Sequence, residues 1–235
     1  MTTTTPGRRE RLRAETVAEI KLTARRHLVA GGPASISLRA VARDMGLTAP
    51  AIYRYFANLD ALVLDIVTDL FEELRTAVEQ VAVAYAEADP VIRIGHMARG
   101  FRRWSLAHPA EFALIFGSPV PGITQIGMVC GPVHEAGARF GETFFTVLDE
   151  IWRNRPPDEP PPGLSEPTLR EVFQPYLELF GDRFPLPLVY LFMAAWTRLY
   201  GIVAMEVFGQ LQWAMTDVEP LFEAELARTL QRITR

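Results

Sequence analysis

The sequence predicts an all-α protein. Three observations carry that reading: apolar residues recur at spacings of three and four rather than two, capping residues stand ahead of the apolar runs, and Gly or Pro ends them. The chain has 235 residues, 49% hydrophobic and 22% charged, enough to build a core in one large or two small domains; this excludes wholesale disorder.

Taken in order, residues 1–15 read as a flexible basic arm. From Thr16, the set Val17, Ile20, Ala24 and Leu28 marks one face of a first helix, which Gly31-Gly32-Pro33 stops. Ser37 caps a short helix carrying Leu38, Val41, Ala42 and Met45, and Gly46 ends it. Thr48 caps a second short helix with Pro50 in its first turn, where a missing N–H does no harm, and with Ile52 and Phe56 on one face. Asn58 caps the next helix and Asp60 sits in its positive first turn. Its stripe of Leu62, Ile66, Leu70, Leu74, Val78, Val81 and Tyr85 reaches about Ala86. At 1.5 Å per residue such a helix is roughly 40 Å long.

Asp89-Pro90 opens a helix through Ile94, Ala98, Phe101 and Ser105, interrupted at His108-Pro109 and followed by a short helix from Ala110 to Phe116. An irregular stretch comes next, with Gly117, Pro119, Pro121, Gly122, Gly127, Gly131 and Pro132. Helical spacing resumes at Phe140, Phe144, Leu148 and Ile151. Six prolines between 156 and 167 make a stiff exposed loop. Three more helices are expected, near Leu169–Leu179, from about Pro187 to Phe208, and from about Val218 to Ile233. No internal repeat is present. A helix-turn-helix domain over 16–62 therefore precedes a larger helical domain over 63–235, and the boundary lies inside the long helix near Val67 without a linker.

The net charge of −4 hides an asymmetry. Residues 1–60 carry ten basic groups (Arg8, Arg9, Arg11, Arg13, Lys21, Arg25, Arg26, Arg39, Arg43, Arg54) against five acids, a local charge of +5 that leaves −9 on the rest. One end is thus suited to face a polyanion and the other is not.

Several classes are disfavoured. A single cysteine, Cys130, excludes a disulfide framework and a Cys-rich zinc site. The four histidines (27, 96, 108, 134) are scattered, no metal-binding pair exists, and no Gly-rich phosphate loop follows a strand, so neither metal, cofactor nor catalysis is expected. Cys130 beside Gly131-Pro132 reads either as a sensing thiol or as inert. No apolar run near the start suggests a signal peptide. The longest apolar stretch, Leu186 to Thr197, is broken by Pro187 and followed by Arg198 and Glu206, too short and too charged for a bilayer. These readings place the chain in the cytoplasm.

Two short helices joined by Gly46-Leu47-Thr48, after a longer helix in the basic third of the chain, form a helix-turn-helix. Gly46 permits the turn, Leu47 with Val41 and Ile52 fills the space between the helices, and Thr48 leaves the second helix's N-terminus free to approach a phosphate. The run from Ser37 to Leu62, with Arg39, Ala49-Pro50-Ala51, Tyr53-Arg54-Tyr55 and Phe56, resembles the DNA-binding domain of the TetR family of transcriptional regulators. The match covers about 55 residues.

That resemblance implies a homodimeric all-helical repressor whose C-terminal domain binds a small molecule and releases a double-stranded operator. It makes Tyr53 and Tyr55 phosphate contacts, Thr48 the cap facing the backbone, and Ala49, Pro50, Ala51 and Arg54 the positions facing base edges. Ser37 and Arg39 begin the preceding helix, and Arg39 matches a position that reaches a base or phosphate. The family often has Lys where this chain has Leu59, so the resemblance does not carry over a phosphate contact at the start of the long helix. By their chemistry, Ala49, Pro50 and Ala51 offer thymine methyls apolar contact, whereas Arg54 and Arg39 are the matched side chains able to hold guanine in a bidentate bond. The arginines of the arm add phosphate or minor-groove attraction.

In the second part, Trp104 to Phe112 and Trp196 to Gly201 look like the variant of TetR regulators with a Trp, a His or Tyr, and a Gly in the penultimate helix. A pocket is expected among Tyr85, Phe101, Trp104, Phe112, Phe116, Phe140, Phe144 and Trp196, with His96, Arg99, Arg103 or His134 as polar anchors. The ligand would be apolar or aromatic with one polar handle; plain core packing explains the same aromatic spacing. The helix from Pro187 to Phe208 is apolar nearly all round and must be covered on both sides. A twofold mate, packed with the last helix as a four-helix interface, covers it most simply. Two rival readings stay open: a DNA-binding dimer controlled by a protein partner, and a helical small-molecule carrier or enzyme.

Overall fold

The computed structural model describes residues 7–117, 131–154 and 165–233, and among them every regular element is helical. Eleven α-helices follow one another: α1 (Arg8–Gly31), α2 (Leu38–Asp44), α3 (Ala49–Ile52), α4 (Leu59–Ala84), α5 (Pro90–Ala107), α6 (Pro109–Phe116), α7 (Pro132–Asn154), α8 (Glu166–Val172), α9 (Gln174–Phe180), α10 (Leu186–Val207) and α11 (Glu219–Ile233). One 3₁₀ turn, Pro33–Ser35, sits between α1 and α2.

Where the elements differ from the expected ones, the cause is local chemistry. Residues 8–15 are the first two turns of α1, not a flexible arm. Glu10 accepts from the Gly7 amide at 2.8 Å, Thr16 donates to the Leu12 carbonyl, and the Arg, Glu, Leu and Ala between them are good helix formers. The turn at Gly131-Pro132 opens α7 eight residues before Phe140, because Pro at a first helical position has a φ already suited to the helix. The helix expected over Leu169–Leu179 is two helices hinged at Phe173, since Pro175 has no N–H to continue the ladder and disfavours helical backbone at the residue before it. Much of the irregular stretch and of the proline loop, and Cys130 with them, lies outside the described residues.

The chain divides into two compact units. The first contains residues up to Glu73 together with His108–Gly137; the second contains Leu74–Ala107 and everything from Ala138 onward. The division within α4 thus falls at Glu73–Leu74 rather than near Val67, and α6 belongs with the N-terminal unit. An ion-pair cluster and an aromatic cluster account for this. Arg25 of α1 binds Glu73 of α4 at 2.7 Å and Glu111 of α6 at 2.9 Å, with Glu111 only 4% exposed. Phe71 meets Phe116 edge to face, and Phe116 packs on the fully buried Phe112.

The first unit's core is Ile20, Ala24 and Leu28 of α1, Val41 of α2, Ile52 of α3, and Leu62, Val63 and Val67 of α4, all without exposure. In the second unit α5 packs against both α10 and α11. Gly100 allows α5 a close approach to α4, as a Cβ at that position would lie 3.1 Å from Val81. Ion pairs tie α5 to its neighbours: Arg93 to Glu150, Arg99 to Glu223 and Arg102 to Glu206.

α10 corrects one expectation. Its 22 residues start at Leu186, with Pro187 in the first turn where it does not break the helix, so by length and composition α10 could cross a membrane. Leu188, Val189 and Val203 are buried, whereas Met193, Ala194, Thr197 and Met205 face out.

Candidate nucleic-acid interface and apolar cavity

The helix-turn-helix is built around Gly46. With φ of +65° it ends α2 in the left-handed conformation; its amide donates to the Arg43 carbonyl at 3.1 Å, and the Leu47 amide to the Ala42 carbonyl at 2.8 Å. This pair of bonds turns the chain sharply into α3. Val41 and Ile52 are fully buried between the helices, but Leu47 is only half-buried and so fills less of that space than expected.

Ser37 and Thr48 occupy the N-cap positions of α2 and α3, yet neither side chain makes the capping hydrogen bond. Asn58 does cap α4, its Oδ1 accepting from the Ala61 amide at 2.8 Å. The residues proposed to meet DNA are largely open to solvent. Arg39, Thr48, Ala49, Pro50 and Arg54 are exposed, Tyr53 is 46% exposed, and Ser37, Ala51 and Tyr55 are half-buried.

Sequence reasoning missed how this surface is held. Arg13 of α1 donates to the Arg54 carbonyl at 3.3 Å and lies 5.3 Å over the Tyr55 ring, so one arginine assigned to the arm fastens the segment after α3. His27 of α1 meets Asp44, the last residue of α2, at 2.7 Å, and that hydrogen bond holds the Asp44 carboxyl below its ordinary range. Lys21 bridges to Asp65 and Asp69 on α4. Burial lowers the Lys21 pKa, but the hydrogen bond to Asp69 and the two carboxylate charges outweigh it and raise it overall. Only the spatial meeting of α1, α2 and α4 reveals these pairs.

The second unit holds a small apolar cavity of about 60 Å³. Ile94, Ala98 and Phe101 of α5, Phe144 and Leu148 of α7, Phe192, Ala195, Trp196, Leu199 and Tyr200 of α10, and Leu226, Thr229, Leu230 and Ile233 of α11 line it. Of the twelve residues proposed for a pocket, it gathers Phe101, Phe144 and Trp196. Phe140 stands behind them, its ring packed on all three. Phe112 belongs to the first unit's core with the half-buried Phe116 packed on it, and Trp104 is buried outside the lining.

The expected polar anchors are engaged elsewhere. His96 stacks on Tyr85 with ring centroids 3.7 Å apart, and Arg99 makes a bidentate bond to Glu223 at 2.8 and 2.6 Å. Arg103 and His134 are not in the lining either. The residues sequence reasoning missed fall on helical registers, such as 192, 195, 196, 199 and 200 on α10, that were legible as apolar faces but not as cavity walls. Among the described residues no group of three or more His, Cys, Asp or Glu is placed to hold a metal.

With this geometry in hand, comparison with known proteins gives a consistent set. Residues 22–66 match the model for bacterial regulatory proteins of the tetR family, and residues 94–229 match a tetracyclin repressor-like C-terminal domain. The chain is 31% identical over 228 residues to the HTH-type transcriptional regulators Rv1816 of Mycobacterium tuberculosis and Mb1846 of Mycobacterium bovis, covering 93% of this chain and 92% of each of theirs. Among solved structures, the regulatory protein SCO4313 superposes with a TM-score of 0.76 at 26% identity, over 97% of this chain and 100% of that one. A protein of unknown function from Rhodococcus sp. RHA1 shares the fold, with a TM-score of 0.65 at 21% identity over 93% and 95% of the two chains.

Proposed function

The chain belongs to the TetR family of transcriptional regulators, and on that premise we propose that it is a cytoplasmic repressor that binds a palindromic operator as a homodimer and is released by a small apolar or aromatic effector. The observation that carries the reading is the exposed set Arg39, Tyr53 and Arg54 on a helix-turn-helix that α1 braces through Arg13 and His27. Family membership sets aside the enzyme reading. The helix-turn-helix unit covers α1 to α3 and the start of α4, and the remainder serves effector binding and dimerisation.

Dimerisation is supported by α10, whose outward side chains, with Val172 of α8, Phe208 and Trp213, leave large apolar groups in water. A monomer rarely exposes a contiguous apolar patch of more than a few hundred Å². Reading a palindrome requires a dimer to set two α3 helices in successive major grooves, about 34–36 Å apart. Effector binding in the second unit would shift α4, whose residues belong to both units, and with it the backbone at Asn58 and the buried Phe56 that follows α3. For each tenfold preference of the effector for the released form, the equilibrium moves by about 1.4 kcal/mol.

A second reading keeps the DNA-binding dimer and replaces the effector by a protein partner. The cavity of about 60 Å³ favours it, being well below the roughly 150 Å³ of an apolar cavity that admits benzene. Selection from random duplex DNA tests the main proposal. The expected product is a palindrome with half-sites about 10 base pairs apart; no enriched duplex at low salt would overturn it. Compounds that then release the selected duplex favour the effector reading over the partner reading.

A further inference from the structure

We infer that the cavity among α5, α7, α10 and α11 is specific for neutral, wholly apolar molecules and rejects carboxylates and ammonium ions of the same shape. This rests on the reading that the second unit holds an effector, and it removes the polar handle expected from the sequence. The lining carries two hydroxyls and no charged group. Thr229 donates its hydroxyl to the Glu225 carbonyl at 2.8 Å, and burial raises the pKa of the Tyr200 phenol, which keeps it neutral.

Three arginines on the helices that form the walls are each held by a carboxylate outside the cavity. Arg99 binds Glu223, Arg102 binds Glu206 through two bonds at 2.8 and 2.7 Å, and Arg198 binds Glu225 at 2.7 Å. The Glu206 and Glu225 side chains are only 13% and 14% exposed. Recruiting Arg102 to a ligand would leave the mostly buried Glu206 carboxylate unpaired, which costs more than the new interaction returns, and Glu225 holds Arg198 while also pairing with Arg228.

A cation fares no better. No carboxylate lines the cavity, and its aromatic rings do not form an open cage. Trp196 lies nearly parallel to Tyr200 at 5.4 Å and to Phe192 at 6.4 Å, so it packs against other rings on the same helix. What remains is a space that stays dry and gains from being filled by hydrocarbon. Its volume of about 60 Å³ requires the wall to yield, and Leu199, a single flexible side chain on α10, is the position where shortening makes room.

The test uses the full chain and three probes of one shape, toluene, benzoate and benzyltrimethylammonium, titrated at pH 7 by calorimetry and by thermal unfolding. Toluene should bind at least tenfold more tightly than either charged probe and be the only one to raise the Tm. Leu199→Ala should tighten toluene binding about threefold or more, and Ala195→Leu should abolish it. The inference fails if either charged probe binds within threefold of toluene. It also fails if toluene binds neither the parent chain nor Leu199→Ala. Gel shift on the selected duplex in the same preparations separates the two levels: loss of duplex binding by the unmodified protein defeats the regulator reading, whereas duplex binding without toluene binding defeats this inference alone.

Discussion

Arg54 is exposed at the end of the recognition segment, and its backbone carbonyl is held by Arg13. A bidentate bond to guanine contributes about 1–3 kcal/mol of discrimination. Arg54→Ala should therefore lower the preference for selected over random duplex by about fivefold or more, measured by competition gel shift. Equal weakening on both would make Arg54 a phosphate contact. Glu223 shows a second residue effect. Its hydrogen bonds from Arg99 lower its pKa below the ordinary 4.5 despite the opposing effect of burial. A carboxylate whose pKa falls on folding stabilises the folded state above its unfolded value and loses that contribution as pH drops through the folded one. Glu223→Gln should cost about 1 kcal/mol at pH 7, a figure kept small because more than a third of each side chain faces water, and should flatten the fall in stability below about pH 4.5. Denaturant unfolding across pH checks both.

Among the elements, the turn between α2 and α3 depends on one backbone conformation. Gly46 has φ of +65° with open space around its Cα, so the cost of a side chain there is conformational rather than steric. Gly46→Ala should destabilise the fold by about 1–2 kcal/mol in chemical denaturation and weaken duplex binding through α3. The first turns of α1 carry Arg8, Arg9 and Arg11 exposed on a formed helix. Replacing the three by Gln keeps helix propensity and removes charge. If they meet phosphates, the slope of log K against log salt should shrink by about 0.9 for each phosphate that is no longer neutralised; an unchanged slope would leave them no role on DNA. The helix periods of α4, α5, α10 and α11 were legible in the spacing of apolar residues. The break at Phe173 and the early start of α7 were not, because both turn on where a single proline falls within a helical turn.

For the whole molecule, the exposed apolar groups set the expectation of assembly. Trp213 is 88% exposed, and Met193, Met205 and Phe208 are each more than 40% exposed. Large aromatic groups at the centre of an interface carry much of its binding energy. Met193→Glu with Trp213→Ser should convert a dimer to a single-subunit mass in light scattering at micromolar concentration. A single-subunit mass for the unmodified chain would refute the dimer itself. The charge split of +5 and −9 belongs to this scale too, for a polyanion attracts the basic first sixty residues and repels the acidic remainder.

The all-helical class, the helix-turn-helix with its Gly46 turn and the Asn58 cap could all be read along the chain, because each depends on residues within a few positions of one another. Folding in three dimensions was needed to settle which aromatic residues meet at the cavity, where α4 is divided, and which carboxylates hold Arg25, Arg99 and Arg102. The physical reason is that a helical period marks a face as apolar without saying what covers it. An arginine likewise carries no mark of its partner when that partner lies 48, 104 or 124 residues away.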